Sequence, residues 1–242
     1  MLSVINSIIK HILPRPLHKR LVDFYLLRIS RFATQTYSLQ GEDMILKEIF
    51  ASQAQGFYVD VGAHHPFRFS NTYHFYKRGW RGINIDAMPG SMRLFNRFRP
   101  RDINIECGVA FNGGGGSMKY YSFNEPALNG FNPELSTKYQ AHPLYHLLET
   151  ISVPVRRLEE ILDENLPPHT TIDFLSVDVE GLDLEVLRSN NWRKYRPKVI
   201  LAESWGSSLD NIYKDEVYIF LHSLGYELHS KTTNTLIFEE RK

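Results

Sequence analysis

From Gly56 onward, short apolar runs alternate with amphipathic stretches. FYVDVG, RGINIDA, INIECGVA, IDFLSVDVEG and PKVILAES are rich in β-branched residues, and several end at Gly or an acid. Runs of that kind suit strands buried on both faces of a parallel sheet. Between them, SNTYHFYKRG, PGSMRLFNRF, LDLEVLRSN and DEVYIFLHSLG have helical spacing, and YELHSKTTNTLIFEE closes the chain as a hairpin. Ser70 or Asn71 is the expected N-cap of the first of these helices, with Gly79 past its end. Strands separated by helices of about ten residues predict a doubly wound α/β sheet.

Two segments break the rhythm. Residues 111–155 hold a Gly run, one expected antiparallel strand (FNGGGGSMKYYSF) and a polar, aromatic stretch. An insertion of that length in an α/β domain reads either as a lid that binds substrate or as a loop packed on its own aromatics. Residues 1–36 form a second segment ahead of a domain spanning 37–242. In it, Leu2, Ile5, Ile8, Ile9 and Ile12 recur at helical spacing. Lys10, Arg15, Lys19, Arg20, Arg28 and Arg31 face a single acid, Asp23. This basic amphipathic helix either packs on the domain edge or meets a membrane surface or an anionic partner such as a glycosyltransferase.

Composition narrows the classes. Apolar residues make up 43% and charged residues 23%, with a net charge of +1. That is ordinary globular usage and excludes a disordered or coiled-coil chain. The balanced charge predicts no nucleic-acid partner. One cysteine, Cys107, excludes an internal disulfide framework and a multi-cysteine zinc site. The N-terminal apolar stretch is broken by Asn6, Lys10 and His11 and stopped by Pro14 and Pro16. It reads neither as a span nor as a cleaved signal, so the expected location is cytoplasmic, with a peripheral place on the inner membrane face if the basic helix docks there. Residues 61–101 are also basic, with Arg68, Lys77, Arg78, Arg81, Arg93, Arg97, Arg99 and Arg101 against Asp86. They read as a solvated face or as a seat for an acidic acceptor.

Ligands of doubly wound sheets sit beyond the carboxyl ends of the strands. Those ends carry Asp60, Asp86, Glu106, Asp178, Glu180 and Glu203, with Gly62, His64 and His65 in the first turn. Asp86 ends the second strand, 24 residues after Gly62, and is placed to accept the hydroxyls of a ribose. The first turn is G-A-H-H-P-F-R-F and lacks the G-x-G-x-x-G that lets backbone approach a pyrophosphate. An NAD-linked reductase is therefore disfavoured and a nucleoside without phosphate is favoured.

The blocks YSLQGEDMIL, YVDVGAHHPFRFSNTYHFYKRGWRGINIDAMP, DFLSVDVEGLDLEVLRS and TNTLIF, in that order over about Tyr37 to Phe238, resemble the FkbM family of S-adenosylmethionine-dependent methyltransferases. The resemblance implies a class I methyltransferase fold, a mostly parallel seven-stranded sheet with a terminal antiparallel strand. It implies O-methylation of a sugar or polyketide hydroxyl, here a hydroxyl of a surface glycan or its precursor. It places Asp60, Gly62 and Ala63, with His64 in the altered turn, at the methionine end of the cofactor, with Ser70 and Asn71 at its carboxylate. It places Asp86 at the ribose, Ala87 and Met88 on one side of the adenine, and Cys107, Gly108 and Val109 on the other. Gln40 or Glu42 would also touch the cofactor.

A sugar hydroxyl needs a base to become a nucleophile. Asp178 and Glu180 alternate at a strand end and share a face. Glu180 is the expected base and His65 the second candidate, while Asp178 would hold the cofactor's amino group. Asp178 and Glu203 would alternatively take Mg²⁺ or Mn²⁺, whose hardness suits oxygen ligands. Tyr121, Asn124, Asn129, His142, Tyr145 and His146 of the insertion mix aromatic faces with polar groups that suit a carbohydrate. A non-catalytic module that keeps the cofactor pocket and recruits a partner through its basic N-terminal face is the competing reading.

Overall fold

The computed structural model describes residues 14–30, 33–111, 116–206 and 208–241. It divides into two units, Met1–Gln35 and Thr36–Lys242. Within the first, Arg15–Phe24 is an α-helix with Pro16 in its first turn, continued by a π-helix, Tyr25–Ser30. None of the helix's residues is buried. The expected Leu2–Ile12 apolar face lies outside the described residues. Among the described residues, no helix is long and apolar enough to cross a membrane.

The second unit is built on a seven-stranded sheet of order β3-β2-β1-β7-β8-β10-β9. Its strands are β1 Phe57–Val61, β2 Arg81–Asp86, β3 Ile103–Glu106, β7 Phe174–Val177, β8 Val199–Glu203, β9 Tyr226–Lys231 and β10 Thr235–Glu240. The first five are parallel, β10 runs antiparallel to β8, and β9 is antiparallel to β10. This is the class I methyltransferase arrangement, including its antiparallel end.

Strand periodicity builds two cores from one sheet. Val59, Ile83, Leu175 and Ile200 face the helices Leu158–Asn165, Asp183–Arg188 and Glu216–Ser223. Their strand neighbours Tyr58, Phe174, Val199 and Leu201 face Leu46 and Phe50, on and just past the helix Glu42–Ile49, together with Phe75, Tyr76 and Trp80. Asp215 caps the Glu216–Ser223 helix by accepting from the Val217 and Tyr218 amides. All of these contacts aim the carboxyl ends of β1, β2, β7 and β8 at one edge.

Four expectations need correction. INIECGVA is not one strand. Cys107 breaks it, and Gly108–Val109 (β4) leaves the main sheet. The insertion is not a single strand with a loop. Ser117–Phe123 (β5) pairs antiparallel with Leu147–Arg156 (β6), and β4 flanks β6 in parallel. Pro154 inside β6 hides that strand from a propensity reading. A helix, Pro133–Gln140, adds to the lobe, N-capped by Asn132. The helix after β1 starts at Tyr73 rather than after Ser70. The Ser70 hydroxyl instead accepts the amides of Thr72 and Tyr73 ahead of it. Finally, the basic run is not wholly a solvated face, because Arg99 is fully buried. Its guanidinium donates to Asp102 (2.8 Å), to the Tyr58 hydroxyl (2.7 Å) and to Thr72 Oγ1 (2.9 Å).

Candidate active site

The strand ends open into one cavity, walled by β1, β2, β7, β8 and the inserted lobe. Gly62 makes the first turn possible. Its φ is +82°, and a Cβ there would lie 1.7 Å from the Asp178 carbonyl oxygen. The chain then crosses toward β2, with the Gly62 and Ala63 amides donating to the Ile85 carbonyl at 2.9 and 3.1 Å. His64 follows in the left-handed region at φ 53°.

Asp86 is the hub of this turn. Its Oδ2 accepts the His64 amide and its Oδ1 the Met88 amide, both at 2.8 Å. Burial pushes its carboxyl up and the two amides pull it back. The remaining lone pairs of both oxygens suit the two hydroxyls of a ribose. Beside it, Ala87, Met88, Cys107, Gly108, Val109 and Phe131 line the cavity as a largely apolar slot. Burial raises the Cys107 thiol to about 11, so it serves there as an apolar surface. The His64 ring also lines the cavity, and its buried Nε2 has no partner. Burial, then the Arg68 charge, lowers it to about 4, so the ring is neutral at pH 7.

The opposite wall is acidic. Asp178, Glu180 and Glu203 each offer an oxygen within 4.8 Å of one another. Asp178 opens onto the cavity, while Glu203 is buried with its Oε2 unpartnered. Lost hydration pushes all three upward, and the neighbouring carboxylates add to it: Asp60 and Glu42 for Asp178, and Asp178 for both Glu180 and Glu203. Like charges this close keep at least one proton in the group near neutral pH. Glu180 reaches about 7, lowered in part by the Tyr139 hydroxyl, which donates to its Oε2 at 2.6 Å. Glu180 itself sits at φ 56°, followed by Gly181 at 87°. This tight turn packs against the lobe, since a Cβ on Gly130 would meet the Glu180 Cβ at 3.2 Å.

Other expected residues are placed as follows. Gln40 and Glu42 line the cavity and pin the β9–β10 turn to it. Gln40 Oε1 accepts the Asn234 amide at 2.9 Å, and Glu42 Oε1 accepts the hydroxyls of Thr232 and Thr235. Asn71 lines the cavity and donates to the Ser176 hydroxyl. Asn129 lines it too, its Oδ1 accepting the Phe123 amide. Tyr121 lies with Tyr139 in a small cleft beside Glu180.

Eight further residues do not reach the cavity wall. Asp60 lies beneath it, accepting the Thr72 hydroxyl at 2.8 Å. Ala63 is buried against Met92 and Phe95, and Ser70 is committed to its helix start. The His65 Nδ1 already accepts the amides of Phe67 and Arg68, which removes it as a base. Asn124 closes its own loop, donating to the Leu144 carbonyl and accepting the His146 amide. His142 stacks on Tyr145 with ring centres 4.6 Å apart, and with His146 this end of the insertion packs on itself. Sequence reasoning missed Leu39, Phe69, Phe131, Tyr139 and Trp205. Their aromatic or apolar type was the only local signal, and core residues share it.

The family model described as the methyltransferase FkbM domain matches residues 60–228 of the chain. None of the curated proteins matches it. Among solved structures, a TehB-like SAM-dependent methyltransferase from Corynebacterium glutamicum ATCC 13032 Kitasato is similar at 12% identity, covering 93% of this chain and 100% of that one. Its TM-score is 0.37.

Proposed function

Because this chain belongs to the methyltransferase FkbM family, we propose that it transfers a methyl group from S-adenosylmethionine to a hydroxyl of a surface glycan or its precursor. The observation that carries this reading is one cavity joining two different walls. One has the Asp86 carboxylate beside an apolar slot, and the other has a carboxylate poised near neutrality. The residues fit the nucleoside. Asp86 would hold the ribose hydroxyls, the slot from Ala87 to Phe131 would hold the adenine, and the unpartnered His64 Nε2 and the Asn71 amide would face the polar methionine end.

S-adenosylmethionine supplies a methyl group on a positive sulfonium sulfur that leaves as a neutral thioether. The chain's work is therefore alignment, exclusion of water and proton removal. Glu180 would take the proton of the acceptor hydroxyl. Its position near 7 makes it basic enough to accept that proton and ionised enough to be ready at cellular pH. Tyr139 fixes one of its oxygens, leaving the other for the acceptor. Asp178, in the same acidic wall, would favour the sulfonium charge.

A second reading adds a divalent cation. The oxygens of Asp178, Glu180 and Glu203 form a hard set suited to Mg²⁺ or Mn²⁺, and the unpartnered Glu203 Oε2 favours it. We further infer that the N-terminal helix rests on an anionic membrane surface. Leu17, Leu21 and Phe24 form an exposed stripe, and Arg15, Lys19 and Arg20 supply the charge. Incubation with methyl-labelled S-adenosylmethionine and a glycan fraction tests the reaction. Label held in an alkali-stable ether, absent with Glu180→Gln, supports it. Label lost in mild alkali points to a carboxylate acceptor and refutes O-ether formation.

A further inference from the structure

The cavity mouth carries an apolar surface that the proposed reaction does not use. Leu39, Phe69 and Trp205 are 60%, 38% and 49% exposed, and all three line the cavity. They come from three separate loops: the one before the Glu42–Ile49 helix, the one after β1 and the one after β8. Three large apolar side chains converging on one opening from unrelated loops make a patch of the kind that marks a binding surface.

One of the three is held there at some expense. Phe69 has φ +57°, a conformation that a bulky residue rarely adopts and that persists where its surroundings enforce it. Its ring lies under the Arg68 guanidinium at 4.3 Å and stacks on His64 with planes 18° apart. Arg68 is in turn clamped by both oxygens of Glu125, at 3.0 and 3.1 Å. Trp205 stands two residues past Glu203, next to the acidic wall. The slot beside Asp86 serves the nucleoside, so the space between the acidic wall and this rim belongs to the acceptor.

We propose that Leu39, Phe69 and Trp205 form the acceptor platform, and that the acceptor carries an aromatic or alkyl face next to its reacting hydroxyl. The proposal rests on the methyl-transfer reading for the identity of the bound molecule. It moves acceptor recognition from the far end of the insertion, where Asn124 and His142 are tied into their own loop, to an apolar rim. A free sugar offers such a rim only the C–H face of its ring, whereas a glycoside with an apolar aglycone covers more of it.

The test compares phenyl β-D-glucopyranoside with methyl β-D-glucopyranoside by calorimetry and saturation-transfer NMR. Both are run on the full chain with and without saturating S-adenosylhomocysteine. The expected result is at least tenfold tighter binding of the phenyl compound, with the strongest saturation at its ring protons. Trp205→Ala and Leu39→Ser, both at exposed positions, should each erase most of that preference while leaving S-adenosylhomocysteine binding intact. Equal affinity for the two glycosides, no binding of either, or a phenyl preference that survives both variants overturns the platform. Failure of the wild-type chain to bind S-adenosylhomocysteine would count against the methyl-transfer reading instead, and the arm without it still judges the platform.

Discussion

If Glu180 is held near 7 by its surroundings, then folding works against its ionisation, and removing the charge should stabilise the protein. The carboxyl moves from 4.5 to about 7 on folding. The folded state therefore binds the proton more tightly than the unfolded one. This group's favourable contribution is fully present below pH 4.5 and is lost as pH rises through 7. A shift of that size is worth about 3 kcal/mol at 1.36 kcal/mol per pH unit. Glu180 is only half-buried and opens onto the cavity, so water reduces the effect, and about 2 kcal/mol is the working figure. Glu180→Gln cannot ionise and still offers an oxygen to the Tyr139 hydroxyl. Urea unfolding of both proteins at pH 5 and pH 8, without ligand, reads the effect together with the relief that Glu203 gains once the Glu180 charge is gone. Glu180→Gln should gain about 1 kcal/mol on the wild type between the two pH values, because pH 5 already lies above 4.5 and part of the contribution is gone there, while losing methyl transfer. Stability sacrificed at a working site is a familiar trade. A difference that stays flat within about 0.5 kcal/mol, or that favours the wild type at pH 8, refutes the reasoning.

Two further outcomes follow from other parts of the molecule. Arg99→Met should cost about 3–5 kcal/mol in chemical denaturation, because it strands the buried Asp102 without its cation, and Asp102→Asn in the same chain should return part of that loss. A loss below about 1 kcal/mol would show that the network contributes little. For the N-terminal helix, Leu21→Glu combined with Phe24→Glu should abolish co-sedimentation with vesicles rich in phosphatidylglycerol and leave S-adenosylhomocysteine affinity unchanged. Sedimentation equal to the wild type would retire the membrane contact and leave a protein partner as the occupant.

The main sheet was legible because its strands are apolar on both faces and end at Gly or an acid. Val59 and Tyr58 needed no partner information to be read as buried strand residues. Asp86 and Gly62 were legible for the same reason: their roles follow from a strand end and a turn. The insertion was not. Pairing of Ser117–Phe123 with Leu147–Arg156 is a long-range choice, and Pro154 speaks against it locally. Arg99 looked like one more surface cation, since its acceptors Asp102, Tyr58 and Thr72 are assembled only by the fold. Tyr139 lies 41 residues from Glu180, and no spacing rule joins them. Polar residues of the insertion were expected to face a ligand, yet Asn124 and His142 satisfy their own loop. A side chain's chemistry was readable in advance, but the direction it faces depends on contacts that one chain's sequence does not rank.

Calorimetric titration with S-adenosylhomocysteine, comparing wild type with Asp86→Ala in the presence and absence of EDTA, tests the nucleoside seat at Asp86. Micromolar or tighter binding by the wild type, weakened at least tenfold in the variant, is the predicted result. An EDTA effect on the wild type would bring a cation into the same site. Absence of binding by a folded wild type, or equal binding by the two proteins, would contradict the seat at Asp86 and the reading built on it.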